Sequence, residues 1–502
     1  MREFNVTGLC IPSKHYMADI SNKISQIVAM VEKGQYFTIN RARQYGKTTT
    51  IRQLEKILLE NGYQVARISF EGVGDTPFEN EENFCQNIIN QISKAINRTN
   101  AEYAKVWIND SVKTFIELSS FLNKVCKDKK VVLIIDETDK TSNNLVFLRF
   151  IGILRDKYLE RDNLKIPTFQ SVILVGVYRS INIHWNIATN FEVDMSFSLP
   201  EITSMLKEYE KDHKTKMDID TISKEINVYT NGYPYLVSRL CQIIDEDLDK
   251  NWTLKGLQEA VKLILMEQST LFNDLFKNIE SYQDLKELLR KLTIGNRTYF
   301  YNIDNRAVQL ASTIGVVEKR GTLVAIHNRI FEIKITNYFA SGKDIQKNKI
   351  IPNSLINLVA GKENFDMPLF LEKFANNYYE IYHNKDIDFL ERECRLLFIT
   401  YLRSYINSVG FYHLKSETRY GERTDVIIDY NSEQFVVELN LWYGDVAHEE
   451  AFEQIAGYLE SKNKDVGYLL TFDFRKTKNV GKPQIEWVEH RGKRILDVMV
   501  GV

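Results

Sequence analysis

Two patterns of apolar positions alternate along the first 200 residues. Apolar residues spaced three or four apart predict helices over residues 15–34, 51–62 and 81–97. Short apolar runs predict strands over residues 35–40, 63–70, 131–136 and 171–177. The last two runs are almost wholly apolar, which is typical of strands buried on both faces. The alternation therefore predicts an α/β fold in which helices cover both faces of a parallel sheet.

The pattern becomes helical after residue 200. Helices are expected after Pro200 and at Pro234, because proline is well suited to the first turn of a helix. Residues 282–340 predict two or three short helices and then a hairpin that turns at Arg320 and Gly321. Short helices followed by a hairpin indicate a winged helix.

The last part of the chain predicts a further α/β domain. The polar stretch 342–354 contains a proline and indicates a linker. Beyond it, the spacing of apolar residues predicts helices over residues 367–383, 387–408 and 446–460. Strands are predicted over residues 424–430, 435–442 and 465–474.

Composition limits the class of protein. The 502 residues are 44% hydrophobic and 26% charged, which is ordinary for globular domains. A formal net charge of −2 argues against a uniformly basic protein that coats nucleic acid. The five cysteines contain no CxxC pair, so they are expected to be buried thiols rather than zinc ligands. No signal pattern or membrane-length apolar run is present, and a cytoplasmic protein without membrane contact is expected.

Gly46, Lys47 and Thr48 lie between a predicted strand and the next helix. Such a turn gathers free backbone N–H groups and the positive end of the helix dipole around one point. Lys47 can reach the outer phosphates of a nucleotide, and the Thr48 hydroxyl can ligate Mg²⁺. Gly46 lets the backbone approach the phosphate oxygens. Arg41 stands where a glycine would open such a loop, and it could add positive charge near the ligand.

The buried run 131–136 supplies a second half for this site. It ends in Asp136, and Glu137 follows directly. Asp136 could hold Mg²⁺ through its water shell, and Glu137 could polarise an attacking water. The alternative is a strand that merely ends in two solvated acids. The loop at residues 46–48 lies between a predicted strand and a predicted helix, and the acids follow later at the end of a predicted buried strand. This order favours the nucleotide site.

The stretches NRARQYGKTTT, LIIDE and GYPYLVSRL resemble the AAA-like ATPases of the P-loop superfamily, in the group close to STAND and archaeal ATPases. The resemblance extends over roughly residues 5–340. It implies an ATPase core in residues 1–200, followed by a helical lid and winged helix in 201–341. An arginine at position 41 fits this family. The nucleotide-binding residues that it implies are Arg41, Arg43, Gln44, Tyr45, Gly46, Lys47, Thr48, Thr49 and Pro234.

A second candidate site lies on a predicted hairpin, TDVIIDYNSEQFVVELNLW, in which residue 430 is expected to pair with residue 435. Because side chains alternate between faces, Asp425, Glu438 and Asn440 share one face, and apolar residues share the other. Two carboxylates beside a packed core can hold Mg²⁺ with room for phosphate oxygens. A solvated outer face of the sheet is the alternative.

The order of FLERECRLLF, ETRYGERTDVIIDY, VVELNLW and HEEAFEQIAGYL resembles the PD-(D/E)XK nuclease superfamily, in the form found fused behind AAA-like ATPases. The resemblance covers roughly residues 365–490. It implies a restriction-endonuclease-like α/β domain in 365–502 after a linker at 342–364. The catalytic residues that it implies are Asp425 and Glu438, which would also bind the metal, Glu393 with Glu391 as its alternative, and the pair Gln454 and Tyr458.

One position departs from the nuclease pattern. The pattern has a lysine two residues after Glu438, and this chain has Asn440. A lysine would position the attacking water and offset charge on the phosphate, whereas asparagine supplies a dipole without charge. His448 lies at the start of the predicted helix that contains Gln454, where it is either an ordinary helix-start residue or a neighbour of the hairpin site.

Together these patterns predict a regulator that binds and hydrolyses ATP with Mg²⁺, joined to a nuclease-like domain that acts on DNA. The nucleotide would set the domain arrangement or the state of a homo-oligomer, and so control access to the second site. The alternative is a switch protein whose nuclease-like domain is catalytically inactive and serves binding. The resemblance also implies a bacterial role in handling foreign or mobile DNA.

Overall fold

A computed structural model describes the chain over residues 2–40, 42–138, 144–176, 189–190, 194–293, 299–340, 365–382, 387–406, 410–417, 423–430, 433–474 and 483–501. The predicted linker at 342–364 lies outside these ranges. The chain forms two compact units that interleave in sequence. The first unit comprises Met1–Leu257, Ser269–Leu275 and Gln309–Val316, and the second comprises Gln258–Gln268, Phe276–Val308 and Val317–Val502. The predicted domain boundaries at residues 200, 341 and 364 stay predictions.

The elements up to residue 257 belong to the first unit. Its helices are α1 Ser21–Glu32, α2 Lys47–Glu60, α3 Glu81–Asn97, α4 Ala101–Lys105, α5 Phe115–Val125, α6 Leu145–Leu164, α7 Leu199–His213, α8 Ile219–Thr230 and α9 Pro234–Gln242. Its strands are β1 Tyr36–Asn40, β2 Gln64–Ser69, β3 Val131–Asp136, β4 Ser171–Gly176 and β5 Thr189–Asn190. Helix α10, Leu254–Met266, begins in the first unit and continues into the second.

The strands of the first unit form one sheet in the order β2-β3-β4-β1-β5. All adjacent pairs are parallel, so the predicted parallel sheet is confirmed. Every residue of β3 and β4 is buried, as their apolar sequences require. Because β3, β4 and β1 are parallel neighbours, their carboxyl ends lie at the same edge of the sheet. This edge therefore carries both the loop after β1 and the acids at the end of β3. That edge is where parallel α/β sheets bind ligands.

Proline marks two helix starts of the first unit. Helix α9 begins at Pro234, as predicted, and α7 begins at Leu199, one residue before Pro200. The start of α7 is stabilised by a capping box, in which Glu201 and Ser198 satisfy each other's backbone N–H groups.

Two other starts differ from the prediction. Helix α2 begins at Lys47 rather than at residue 51, directly after the loop. Helix α1 begins at Ser21 rather than at residue 15. Here the Asp19 carboxylate accepts a hydrogen bond from the Ser21 amide at 3.1 Å, a local turn that competes with helix.

The second unit contains the remaining elements, apart from the parts of α11 and α13 that belong to the first unit. Its helices are α11 Thr270–Ser281, α12 Gln283–Thr293, α13 Arg306–Thr313, α14 Arg329–Ala340, α15 Met367–Tyr382, α16 Ile387–Ile406 and α17 Asp445–Ser461. Its strands are β6 Val317–Arg320, β7 Leu323–Ile326, β8 Gly410–Glu417, β9 Arg423–Tyr430, β10 Glu433–Leu441, β11 Val466–Asp473, β12 Gln484–His490 and β13 Lys493–Gly501.

Six of these strands form a mixed sheet in the order β12-β13-β11-β10-β9-β8. The central strands β13, β11 and β10 are parallel, and the outer strands pair antiparallel with their neighbours. The predicted strands β9, β10 and β11 are confirmed. Strands β8, β12 and β13 were not predicted. β12 is largely exposed at the sheet edge and therefore lacks an apolar run, but β13 carries a mostly buried run that the pattern contains.

The hairpin of β9 and β10 pairs Tyr430 with Glu433, so the predicted pairing with residue 435 is wrong by two positions. A two-residue connection is a favoured hairpin length, and it replaces the four-residue turn that the sequence suggested. A shift of two leaves every side chain on its expected face. Accordingly Val426 and Val437 lie together in one buried apolar cluster, and the apolar face is confirmed.

Strands β6 and β7 form the antiparallel hairpin predicted after the short helices, with Gly321 in the turn. The positive φ of 60° at Gly321 suits a residue without a side chain. The hairpin and the helices before it are present, but they do not by themselves establish a winged helix. The winged-helix assignment therefore stays a prediction.

All five cysteines are free thiols, and four of them are buried as expected. Cys10 is the exception, since it is partly exposed. Within the described ranges, none of the helices combines the length and the apolar character needed to cross a bilayer.

Candidate nucleotide-binding site

Two residues of the loop between β1 and α2 have a left-handed backbone. Gly46 has a φ of 73° and Gln44 a φ of 60°, both in the left-handed region. The helix that starts at Lys47 leaves its first N–H groups without partners in the helix, which creates an anion-binding position. Position 41 lies outside the described residues.

A cavity of about 410 Å³ opens in front of this helix start. The residues of the predicted nucleotide site that line it are Arg43, Gln44, Tyr45, Gly46, Lys47, Thr48, Thr49, Glu137 and Pro234. The structure thus brings together residues that are far apart in sequence, including one from the end of β3 and one from the start of α9. A cavity of this size falls within the usual range for small-ligand sites.

Lys47 lines the cavity, and its positive charge acts on the carboxyl of Asp136. The Lys47 ammonium donates to the carbonyl oxygen of Ala42 at 2.9 Å. Asp136 is 6% exposed, and burial raises the pKa of its carboxyl above the ordinary value. A backbone hydrogen bond from Glu137 and the positive charges of Lys47 and Arg67 oppose that rise. A lysine charge suits phosphate oxygens, and a carboxylate suits a hard cation such as Mg²⁺.

Glu137 sits on the cavity wall next to Asp136. Its backbone is in the left-handed region, with φ at 55°, and its amide donates to Asp136 Oδ1 at 3.0 Å. Thr138 follows, and its hydroxyl donates to the carbonyl of Val175 on the neighbouring strand β4 at 3.0 Å. Hydrogen bonds of Asp136 and Thr138 therefore hold the chain before and after Glu137. A left-handed conformation at a non-glycine residue is uncommon and is concentrated at functional positions.

The GYP turn before α9 holds the loop in place. The Tyr233 hydroxyl donates to the carbonyl oxygen of Arg43 at 2.7 Å. The rings of Tyr45 and Tyr233 pack edge to face, with centroids 4.5 Å apart. At Gly232 an added Cβ would lie 1.9 Å from the carbonyl oxygen of Phe197, so a side chain is excluded there. Sequence reasoning named Pro234 in this turn but missed Tyr233, which makes the direct contact.

Helix α11 contacts the loop from another direction, through residues that belong to the first unit. Arg43 Nη1 lies 3.1 Å from Asp274 Oδ2, and the Gln44 amide donates to Thr270 Oγ1 at 2.9 Å. The spacing of apolar residues in α11 shows only its helix, so the sequence carried no sign of these two contacts.

The N-terminal stretch forms another part of the cavity wall that the sequence did not reveal. Asn5, Gly8 and Cys10 line the cavity. The Cys10 amide donates to Thr49 Oγ1 at 3.2 Å, which ties this stretch to the start of α2. The stretch has no regular apolar spacing, which is why the pattern gave no element or function for it.

The sequence profile of the AAA-like domain matches residues 8–341, about two thirds of the chain. The chain belongs to the AAA-like domain family. This finding confirms the AAA-like resemblance that the loop and the acids at the end of β3 indicated. The match ends before the second candidate site, so it does not extend to the nuclease-like resemblance. No protein with a curated function matches this AAA-like chain.

Several solved structures match the AAA-like protein over about two thirds of its length. One is the Walker-type ATPase of Pyrococcus abyssi, with 11% identity and a TM-score of 0.45, covering 66% of this chain and 99% of that one. The ORC2 protein of Aeropyrum pernix, in ADPNP–ADP complexes, matches with 12% identity and a TM-score of 0.35, covering 64% and 94%. The RuvB Holliday junction branch migration motor of Thermotoga maritima matches with 11% identity and a TM-score of 0.33, covering 62% and 92%.

The second candidate site of the AAA-like protein is partly described. Glu438 is 6% exposed, and its Oε1 accepts a hydrogen bond from the Gln454 amide at 2.7 Å. Tyr458 is buried one helical turn further along α17. The structure therefore brings the predicted glutamine and the predicted glutamate into contact. The side chains of Asp425, Glu391 and Glu393 lie outside the described part of the chain.

The backbone of β9 gives the position of residue 425. The observed pairs end at Val437 with Val426, and one further step in the same register places residue 425 opposite Glu438. Among the side chains that the structure describes, no group of three His, Cys, Asp or Glu residues is arranged to hold a metal. Of the two predicted metal-binding carboxylates, Glu438 is the one whose side chain the structure describes. A metal site here would also need the carboxylate of Asp425.

Proposed function

We propose that the first unit binds ATP with Mg²⁺ and hydrolyses it. The observation that carries this proposal is that Lys47, at the start of α2, and Glu137 line one cavity, and that the positive charge of Lys47 acts on the buried Asp136, the residue before Glu137. Membership of the AAA-like family supports the same function. The residues come from two loops at the carboxyl edge of one parallel sheet, where such ligands bind.

Each residue has a distinct role in this proposal. Lys47 and the first amides of α2 bind the outer phosphates, and Lys47 exchanges the Ala42 carbonyl for a phosphate oxygen. Thr48 and Asp136 would hold Mg²⁺, and the donor set of one hydroxyl and one carboxylate suits that ion. Bound Mg²⁺ would neutralise part of the charge on the phosphates. Glu137 orients a water towards the terminal phosphate and accepts its proton.

A matched pair of variants tests the proposal. Glu137→Gln keeps the shape of the side chain and removes the proton acceptor, so ATP binding should persist while turnover falls about 100-fold or more. Glu71→Gln changes another glutamate on the cavity wall and should leave turnover near that of the wild type. Steady-state phosphate release and equilibrium binding of ATP together give the answer. Wild-type turnover in Glu137→Gln would contradict the proposed role.

We infer further that the second unit is nuclease-like and acts on DNA with Mg²⁺. The contact between Glu438 and Gln454 supports this inference, together with the order of the sequence stretches that surround them. Nucleotide state in the first unit would then control access of DNA to the second, through domain arrangement or homo-oligomer state. A winged helix before residue 341 and a cytoplasmic location complete the proposal.

Asn440 supports the alternative that the second unit binds DNA or a partner without cutting. A cleavage assay with Mg²⁺ or Mn²⁺ distinguishes the two. Cutting by the unaltered protein that is abolished in Asp425→Ala supports the nuclease. Cutting that appears only in Asn440→Lys supports the inactive form, because it shows that the lysine charge is indispensable.

A further inference from the structure

Beside the second candidate site, His448 and Asp497 form a largely buried pair. His448 lies in the first turn of α17, with Nε2 2.9 Å from Asp497 Oδ2. Its other ring nitrogen, Nδ1, lies 3.4 Å from the hydroxyl oxygen of Thr471. The side chains of His448 and Asp497 are 14% and 10% exposed. The Asp497 carboxylate therefore holds the Nε2 side of the imidazole, and the Nδ1 side faces Thr471 on β11.

Strand register relates this pair to the hairpin residues. Asn440 on β10 is paired with Thr471 on β11, so the residue that His448 contacts is the direct neighbour of Asn440. Glu438 is paired with Leu469, and Leu469 with Asp497, which puts Glu438 and Asp497 in one row across three strands. Adjacent strands are about 4.8 Å apart, so the row spans about 10 Å.

Helix α17 covers this row and supplies a side chain at each end. Gln454 contacts Glu438 at 2.7 Å, and His448 contacts Asp497 at 2.9 Å. The two groups are six residues apart on the same helix. The helix therefore fixes the imidazole and the Glu438 site relative to each other, independently of any loop.

Two polar atoms on this face lack hydrogen-bond partners among the residues that the structure describes. They are the side-chain nitrogen of Asn440 and Oδ1 of Asp497, and both are buried. Asp497 as a whole is only 7% exposed. Buried polar atoms are nearly always satisfied, so each of these two atoms points to a bound water or another small polar ligand.

We propose that His448 is the general base of the second unit, with Asp497 as its positioning residue and Asn440 as a donor to the attacking water. The inference rests on the proposed nuclease function. Asp497 accepts a hydrogen bond from Nε2–H, which leaves the lone pair on Nδ1, the nitrogen on the side of Thr471, whose strand partner is Asn440. The imidazole thus takes over the water-activating role that the resemblance assigns to a lysine at position 440.

The proposed step balances as hydrolysis of a phosphodiester. Nδ1 of His448 takes one proton from a water while the water oxygen forms a bond to phosphorus. The bond from phosphorus to the leaving oxygen breaks, and that oxygen keeps the electron pair and takes a proton from solvent. The imidazolium, stabilised by Asp497, then releases its proton to solvent.

His448→Gln is the informative variant, because glutamine can donate to Asp497 but cannot accept a proton from water at neutral pH. In the full chain we expect kcat for DNA cleavage to fall about 100-fold or more, with KM little changed. His490→Gln is the matched control, since His490 Nε2 also lies 2.9 Å from a carboxylate, that of Glu453, at the surface of the same unit. It should cleave like the wild type. Added imidazole should partly restore cleavage by His448→Ala, which a purely structural histidine would not show.

The outcomes of these experiments distinguish failure of the proposed role of His448 from failure of the proposed nuclease function. Cleavage that requires Asp425 but is unchanged in His448→Gln overturns the role of His448 and leaves the nuclease standing. Cleavage that appears only in Asn440→Lys, or in neither protein, overturns both. Nitrogen NMR of the histidine rings gives a readout without activity. We expect the Nε2–H tautomer for His448, and an Nδ1–H tautomer would overturn the inference on its own.

Discussion

The hydroxyl of Tyr233 donates to the carbonyl oxygen of Arg43 across a separation of 190 residues, at 2.7 Å. This hydrogen bond joins the turn before α9 to the loop that precedes α2. Tyr233 is completely buried, and burial raises the pKa of its hydroxyl well above the ordinary value, so it remains a donor at neutral pH. The loop before α2 is thus held by a residue that is distant in sequence.

Tyr233→Phe should therefore weaken nucleotide binding without removing any group that touches the ligand. The Arg43 carbonyl loses its donor, and we expect a loss of about 1–2 kcal/mol in the free energy of unfolding. Because the loop is less well positioned, nucleotide affinity should fall about 3-fold to 10-fold. Chemical denaturation and isothermal titration calorimetry measure the two effects.

The control is Tyr103→Phe, which removes a comparable hydrogen bond to a backbone carbonyl, that of Val125 at 2.6 Å. It should lower stability but leave nucleotide affinity unchanged. Equal loss of affinity in both variants would show that general destabilisation, not loop position, is responsible.

The buried carboxyl of Asp136 gives a prediction about stability and pH. Burial raises the pKa of this group in the folded state, in spite of the opposing Glu137 amide and Lys47 charge. The folded protein therefore binds the proton more tightly than the unfolded chain does. The contribution to stability is fully present below the unfolded pKa and is lost as pH rises through the folded pKa.

Asp136→Asn should therefore make the nucleotide-free protein more stable at neutral pH, by about 1 kcal/mol. Asparagine keeps an oxygen that can accept the Glu137 amide, so the turn after β3 should be retained. The gain should shrink as the pH is lowered towards the acid range, where the aspartate is protonated. Denaturation curves at several pH values measure this, and a variant that is less stable than wild type at neutral pH would contradict the charge argument.

Arg43 forms an ion pair with Asp274, and this pair would compete with a bound nucleotide for the arginine. Both side chains are well exposed, at 66% and 45%, so the pair itself should contribute under about 0.5 kcal/mol to stability. Asp274→Asn frees the guanidinium and removes a negative charge close to the phosphate position. We expect nucleotide affinity to rise about 3-fold, more strongly at low salt.

Glu102→Gln is the control for Asp274→Asn, since it removes an exposed carboxylate paired with Lys105 at 2.8 Å, in a part of α4 that does not line the cavity. Its nucleotide affinity should match the wild type. If both variants gained affinity equally, net charge rather than the Arg43 pair would be the cause.

The sequence predicted those features that depend on local pattern. The apolar runs of β3 and β4, the helix start at Pro234 and the apolar face of the β9–β10 hairpin all follow from short-range spacing. The hairpin register was wrong because alternation of faces is the same for registers that differ by two residues.

The parts of the site that the sequence did not reveal depend on tertiary contacts. Tyr233 contacts the loop from the turn before α9, and Asp274 contacts it from α11. The residues around Cys10 line the cavity from a stretch without periodicity. Lys47 and Asp136 could be paired from sequence because each ends or begins a recognisable element. No such pattern exists for the Tyr233 hydroxyl, which donates from the turn before α9 to the carbonyl oxygen of a distant loop residue.

The central claim is that Lys47 and the acids after β3 form a nucleotide site, and calorimetric titration of the intact protein with ATP and Mg²⁺ tests it most directly. Lys47→Ala should weaken binding about 10-fold to 100-fold, because a charge-assisted contact with phosphate is lost. Lys56→Ala, which removes an exposed lysine from the same helix, should bind like the wild type. Unchanged ATP affinity in Lys47→Ala would contradict the account.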